Sequence, residues 1–265
     1  MSALAPRTAP TAEAVSPDAS GDASSIAATL NRLLRAPSGI AAACHDDRHV
    51  RAVALTSLLA IVVGATVFGG VIGSFRGGAQ IVYAAVKLPL VMLLTLTIAA
   101  PGFHGLAAGF GRTVPLRAAL ALALASAGRA ALVLLALAPA VWLLFDLGAS
   151  YHLAALGAAV ADSVAGLSGL LVVIAGLGKG RGRGLATLSF AVLFFAVGGQ
   201  TSWMLRPYLV RPRTVSVPFV RAREGSFFDS LWLLTRSARG IYSTGLTSDQ
   251  ADMPPDAPLA RKVAP

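Results

Sequence analysis

The sequence predicts an all-α fold, a polytopic bundle of about five transmembrane helices led by a short amphipathic helix. Three observations carry that expectation. Of 265 residues, 55% are hydrophobic and only 13% charged, where a soluble domain holds about 25% charged residues. The mean hydropathy is +0.71. The apolar residues also run in blocks of about 20 or more, the length a helix needs to cross a hydrocarbon layer about 30 Å thick.

Residues 1–24 are rich in Ala, Pro, Ser, Thr and Asp. Low hydrophobicity and several prolines predict a disordered tail, and no apolar run follows Arg7 as a secretory signal would require. In "SIAATLNRLLRAP", residues 25–37, Ile26, Leu30, Leu33 and Leu34 share one helical face while Asn31, Arg32 and Arg35 project elsewhere. Ser25 suits an N-cap and Pro37 a stop. Such a helix can lie in the headgroup region or fold against the protein's own cytoplasmic face. It belongs to a juxtamembrane segment, residues 25–51, that precedes a transmembrane bundle at 52–205.

The spans are expected at about 52–74, 79–100, 118–145, 151–177 and 185–205. The third is interrupted by Gly128, Arg129 and Pro139, so an interfacial helix joined to a shorter span is an alternative there. Arg48 and Arg51 precede the first span, Arg112 and Arg117 follow the second, and "GKGRGRG" at 178–184 follows the fourth. Five alternating spans put these three basic segments on one side, which makes the N-terminus cytoplasmic. Arg76 is a small exception. A larger one is the tail at 206–245, where Arg206, Arg211, Arg213, Arg221 and Arg223 fall on the outer side. Either the tail tolerates this, or one span does not cross.

Within that tail, "LRPYLVRPRTVSVPFVR" carries Pro207, Pro212 and Pro218, which forbid a regular helix. It is expected to form an extended strap on the membrane surface or the bundle end. "SFFDSLWLLTRSARGIY", residues 226–242, has a helical apolar face rich in aromatics, suited to the interface. Residues 246–265 are expected to be disordered.

Lys87, Arg129, Asp162 and Gln200 lie inside the spans. An ionised side chain at a helix centre costs on the order of 2.5–3.5 kcal/mol on insertion scales. Lys87 and Asp162 sit roughly 12 and 16 Å from the outer ends of their spans at 1.5 Å per residue, depths that allow an ion pair if the helices touch. Arg129 is a second candidate partner. The three charges are either a polar centre lining a pathway or a clamp holding helices in register, and the clamp is favoured because no paired broken helices occur in two halves. Pro89 can kink the second span and free a carbonyl for the Lys87 ammonium. Gln200, with Gly198 and Gly199, resembles a hinge with an amide hydrogen bond.

Small residues at four-residue spacing predict close helix packing. Gly69 and Gly73 supply it in the first span, Gly157, Ala161, Ala165 and Gly169 in the fourth; the neighbour is either within the chain or in a second copy. "CHDDRH", residues 44–49, holds metal-ligand types at a spacing no familiar zinc site uses, so a solvated turn is expected and no metal or cofactor. No Ser/His/Asp, Cys/His or paired-carboxylate arrangement suggests catalysis. Cys44 is the sole cysteine, so no intrachain disulfide can form. The net charge of +10 is placed beside the spans, which points to anionic lipid headgroups rather than nucleic acid. Arg greatly outnumbers Lys and Ala is abundant, a bias that points to a bacterial inner membrane.

The "LLRAP" amphipathic lead, a polar juxtamembrane turn and five closely spaced spans resemble the Yip1-type membrane proteins, especially their bacterial relatives, over about residues 30–205. The long Arg/Pro-rich tail departs from that layout. The resemblance implies a small helical membrane protein tied to membrane organisation or trafficking partners, without catalytic chemistry. The expected function is therefore a non-enzymatic scaffold that binds lipid and a membrane-protein partner or a second copy. The alternative is a small transporter or channel component built on Lys87, Arg129 and Asp162.

Overall fold

The structure, a computed structural model, describes residues 26–206, 208–210, 219–220, 226 and 228. The chain falls into two compact units, Met1–Ala222 and Arg223–Pro265. Of the second, only Ser226 and Phe228 are described, so the aromatic segment at 226–242 and both terminal tails lie outside the described residues. Among the described residues every regular element is helical: α1 (Ile26–Arg35), α2 (Pro37–His45), α3 (Val50–Ser74), α4 (Ala79–Gly109), α5 (Leu116–Asp146), α6 (Tyr151–Gly176) and α7 (Arg183–Met204).

The last five are long and apolar enough to cross a membrane. Their outer faces confirm the solvent they are built for. Leu55, Leu59 and Val62 on α3, Ile98 on α4, Leu167 on α6 and Phe195 on α7 all stand exposed. In water such continuous apolar surface would drive association, whereas in a bilayer it meets lipid chains. The chain is an integral membrane protein, and lipid is its first contact.

Two helices continue through interior prolines. α4 continues through Pro89 and Pro101 to Gly109, past the expected end at residue 100, and α5 is one helix from Leu116 to Asp146, through Gly128, Arg129 and Pro139. An interior proline removes one backbone bond and kinks a helix, yet in a membrane the rest of the ladder has no competing water, so the helix persists. At 1.5 Å per residue each is roughly 46 Å long, more than the hydrocarbon thickness, which requires tilt or protrusion.

α3 and α5 form the centre. α3 packs along both α4 and α5, α6 lies on the far side of α5, and α7 lies on α4. α6 and α7 touch each other only slightly. The turn between α3 and α4 uses Gly77 and Gly78 at φ of 82° and 61°, a region open to glycine at no steric cost. Ser150 caps α6, its hydroxyl accepting from the Leu153 N–H at 3.3 Å.

One end of the bundle gathers the basic segments. Arg112, in the α4–α5 connection, donates to the carbonyls of Leu177 and Lys179 in the α6–α7 connection. Arg117 pairs with Asp47, and the ring Nε2 of His45 lies 3.0 Å from the Gly176 carbonyl. The opposite end is aromatic: Phe75 meets Phe145 edge-on at 5.2 Å and Tyr151 at 6.4 Å. Arg206, there too, stacks over Trp203 at 3.6 Å.

Candidate functional site

The four intramembrane polar residues go to separate places. Lys87 is fully buried. Its Nζ lies 4.8 Å from the ring centroid of Phe219 and 5.8 Å from that of Tyr208, within the reach of a cation–π contact, which in a desolvated setting is worth about 2 kcal/mol. Both rings come from the chain beyond α7. Tyr208 is held there by its own carbonyl, which accepts from Gln80 Nε2 at 2.8 Å, and Phe219 by an edge-on contact with Tyr83 at 5.2 Å. The described part of the expected strap thus folds back over the first turns of α4 and covers the lysine. Arg211 and Arg213 lie outside the described residues.

Arg129 is a clamp. Its Nε donates to Ser168 Oγ on α6 at 2.8 Å and its Nη1 to the Leu33 carbonyl at 2.7 Å. That carbonyl sits in the last turn of α1, where intrahelical donors run out and the helix dipole is negative. One guanidinium therefore ties α5 to α6 and to the amphipathic helix. α1 buries Thr29 and Leu33 against the bundle and leaves Ile26 and Leu34 exposed. α2 runs beside α6, burying Ile40, Ala41, Ala43 and Cys44, and ends at Gly176.

Asp162 pairs with neither cation. Among the described residues the ion pairs are His49–Asp46 and Arg117–Asp47, and no extensive packing joins α4 to α6, so the Lys87–Asp162 pair allowed by depth does not form. Asp162 instead faces a groove of about 660 Å³ between α6 and α7, floored by α4 and α5. The lining is apolar, with Phe190, Phe194 and Phe195 along one wall and Asp162 its sole ionisable group. Thr95 also lines it, buried, its hydroxyl oxygen without a hydrogen-bond partner. Sequence reasoning missed Thr95; a lone threonine in a helix normally satisfies itself on its own turn, and nothing in the sequence marks this one as different. Gln200 lies half-buried in α7 and is not part of the groove lining, although Gly198 and Ser202 are.

The packing glycines meet backbone. A Cβ added at Gly69 would overlap the Ala84 carbonyl, at Gly73 the Gln80 carbonyl, and at Gly64 the Ala131 carbonyl. Gly169 stands against Ser126, its added Cβ 2.6 Å from that carbonyl. Gly157 meets only the tip of the Leu144 side chain. All these neighbours lie within the chain.

The "CHDDRH" turn disperses its side chains. Asp46 accepts from the Arg48 N–H at 2.9 Å and lies 2.7 Å from His49 Nδ1, holding the turn before α3. These bonds, the backbone one first, hold its carboxyl below the usual carboxylate range. Asp47 turns to Arg117 and His45 to Gly176. Cys44 points inward, where burial pushes its thiol up to about 12. Such a thiol is inert at neutral pH. Comparison with known proteins found no matching family model, curated protein or solved structure.

Proposed function

We propose that this chain is a non-enzymatic membrane scaffold, of the Yip1 type that its layout resembles, placed in a bacterial inner membrane with its basic end cytoplasmic. The observation that carries the reading is the separation of the intramembrane charges. A transport pathway would bring Lys87, Arg129 and Asp162 to one aqueous or polar track. Arg129 instead donates to a hydroxyl and a helix-end carbonyl, and Lys87 lies under two aromatic rings. The basic end, with Arg112 already engaged and Arg48, Arg51 and Arg181 exposed, suits anionic headgroups and an acidic membrane-protein partner or second copy.

A small transporter component is the second reading, favoured by the Asp162 carboxylate opening into its groove. Reconstitution into proteoliposomes separates the two. A scaffold gives no proton, cation or anion flux above protein-free liposomes. A saturable flux that Asp162→Asn abolishes, with insertion and elution profile unchanged, would overturn the scaffold reading.

A further inference from the structure

We infer that the groove between α6 and α7 is a binding site for a lipophilic amine in its protonated form, entering sideways from the bilayer. The site is independent of the scaffold reading, since it requires occupancy and not translocation. Asp162 is one of only two acidic residues between positions 50 and 205, the other being Asp146 at the end of α5, in a chain of net charge +10. A carboxylate at that depth is costly unless a cation or a proton meets it. Among the described residues no cation pairs with it: Lys87 lies against Phe219, and Arg129 donates to Ser168 and to the Leu33 carbonyl. The groove is of the size that small ligands occupy, and it is apolar with few polar groups, as such sites are.

Three features select a cationic amphiphile over an acyl chain or a neutral ligand. The carboxylate supplies the charge complement. The rings of Phe190 and Phe194, stacked at 4.1 Å with Phe195 nearby, offer π faces to an ammonium group. The hydroxyl oxygen of Thr95, a residue of the groove lining, has no hydrogen-bond partner but is itself buried, so an N–H donor reaches it only if the wall near Gly198 yields. Gly166, also in the lining, has nothing within 4 Å of an added Cβ, so the wall of α6 is left open there. An alkyl tail lies along the remaining leucine and alanine surface.

The test uses the full chain in zwitterionic lipid nanodiscs, with dodecylammonium as probe, dodecanol as its neutral counterpart, and empty nanodiscs as the partition background. Saturable dodecylammonium binding above background is expected, with dodecanol bound much more weakly. Asp162→Asn, nearly isosteric, should weaken the amine by roughly tenfold or more, the range of one charge-assisted contact, while leaving dodecanol unchanged. Asp162→Glu should retain binding, and Gly166→Leu, which fills the groove, should abolish it, each with an unchanged elution profile. Equal binding of amine and alcohol, or an amine affinity untouched by Asp162→Asn, overturns the proposal. So does a groove closed by a second copy, seen as a dimer that Gly166→Leu turns into a monomer with no amine bound to either form.

Discussion

Gly64, Gly69 and Gly73 on α3 press directly on the backbones of α4 and α5, while Gly166 on α6 looks onto open space. All are glycines within apolar helices, but Gly166 lies off the Gly157, Ala161, Ala165 and Gly169 stripe of α6. On α3 the missing side chains let three helix backbones approach to van der Waals distance, where packing rather than burial from water drives association. On α6, Gly169 serves that purpose against α5, but the face turned toward α7 finds no partner helix and leaves a groove. Glycines within a four-residue stripe therefore mark close backbone approach, whereas a glycine off the stripe, like Gly166, can face open space.

Substitution should break the two sides unequally. Gly69→Leu sets a side chain into the Ala84 carbonyl, which no rotamer relieves, and should cost at least about 3 kcal/mol, the upper range for overpacking. Recovery of monodisperse protein in detergent should fall sharply. Gly166→Leu should stay within about 0.5 kcal/mol of the parent in the same detergent unfolding assay, as a substitution into open space. Similar losses from the two would mean the groove is already filled.

The two resolved charges sharpen the contrast. Arg129→Met leaves the Leu33 carbonyl and Ser168 hydroxyl without their donor, at a cost of about 1.5–3 kcal/mol for a charge-assisted contact. Asp162→Asn removes a carboxylate that has no ion-pair partner among the described residues and should be neutral or stabilising. Cys44 gives a direct readout of the first change. Buried and protonated in α2, it should resist maleimide in the parent at neutral pH and react measurably faster in Arg129→Met, as α1 and α2 loosen. Equal reactivity in both would show that the clamp does not hold these helices.

The smallest effect is the acid response of the turn before α3. Because the Asp46 carboxyl is held below its ordinary value, its contribution is present above the unfolded carboxylate pKa and is lost as pH falls through the depressed folded value. Amide exchange at Arg48 should quicken as pH drops from about 6 to about 3 relative to the intrinsic rate, spanning the carboxylate range, and Asp46→Asn should flatten that change. An unchanged slope in the variant would assign the response to another group.

The five helices long and apolar enough to cross a membrane, and the end where the basic segments gather, were legible because hydrophobic length and Arg placement are local properties of the chain. Helix ends were less so. Pro101 marks a stop in water, but without water to take up the freed carbonyl α4 runs on to Gly109, while α5 ends within a residue of the expected end. Partners of the intramembrane charges were the least legible. Arg129 chooses a backbone carbonyl at residue 33, which no side-chain pattern marks, and Lys87 chooses rings at 208 and 219 brought back by the fold. Charge matching in sequence pointed to Asp162 for both, and geometry assigns it to neither.

Everything rests on the two ends of this bundle facing opposite sides of a membrane. With Cys44 replaced by Ser, Ala149→Cys in the α5–α6 connection and Lys179→Cys in the α6–α7 connection can be labelled by a membrane-impermeant maleimide in sealed vesicles of either orientation. Each should react from one side only, and the two from opposite sides. Labelling of both from the same side would contradict the crossing of α6 and the arrangement built on it.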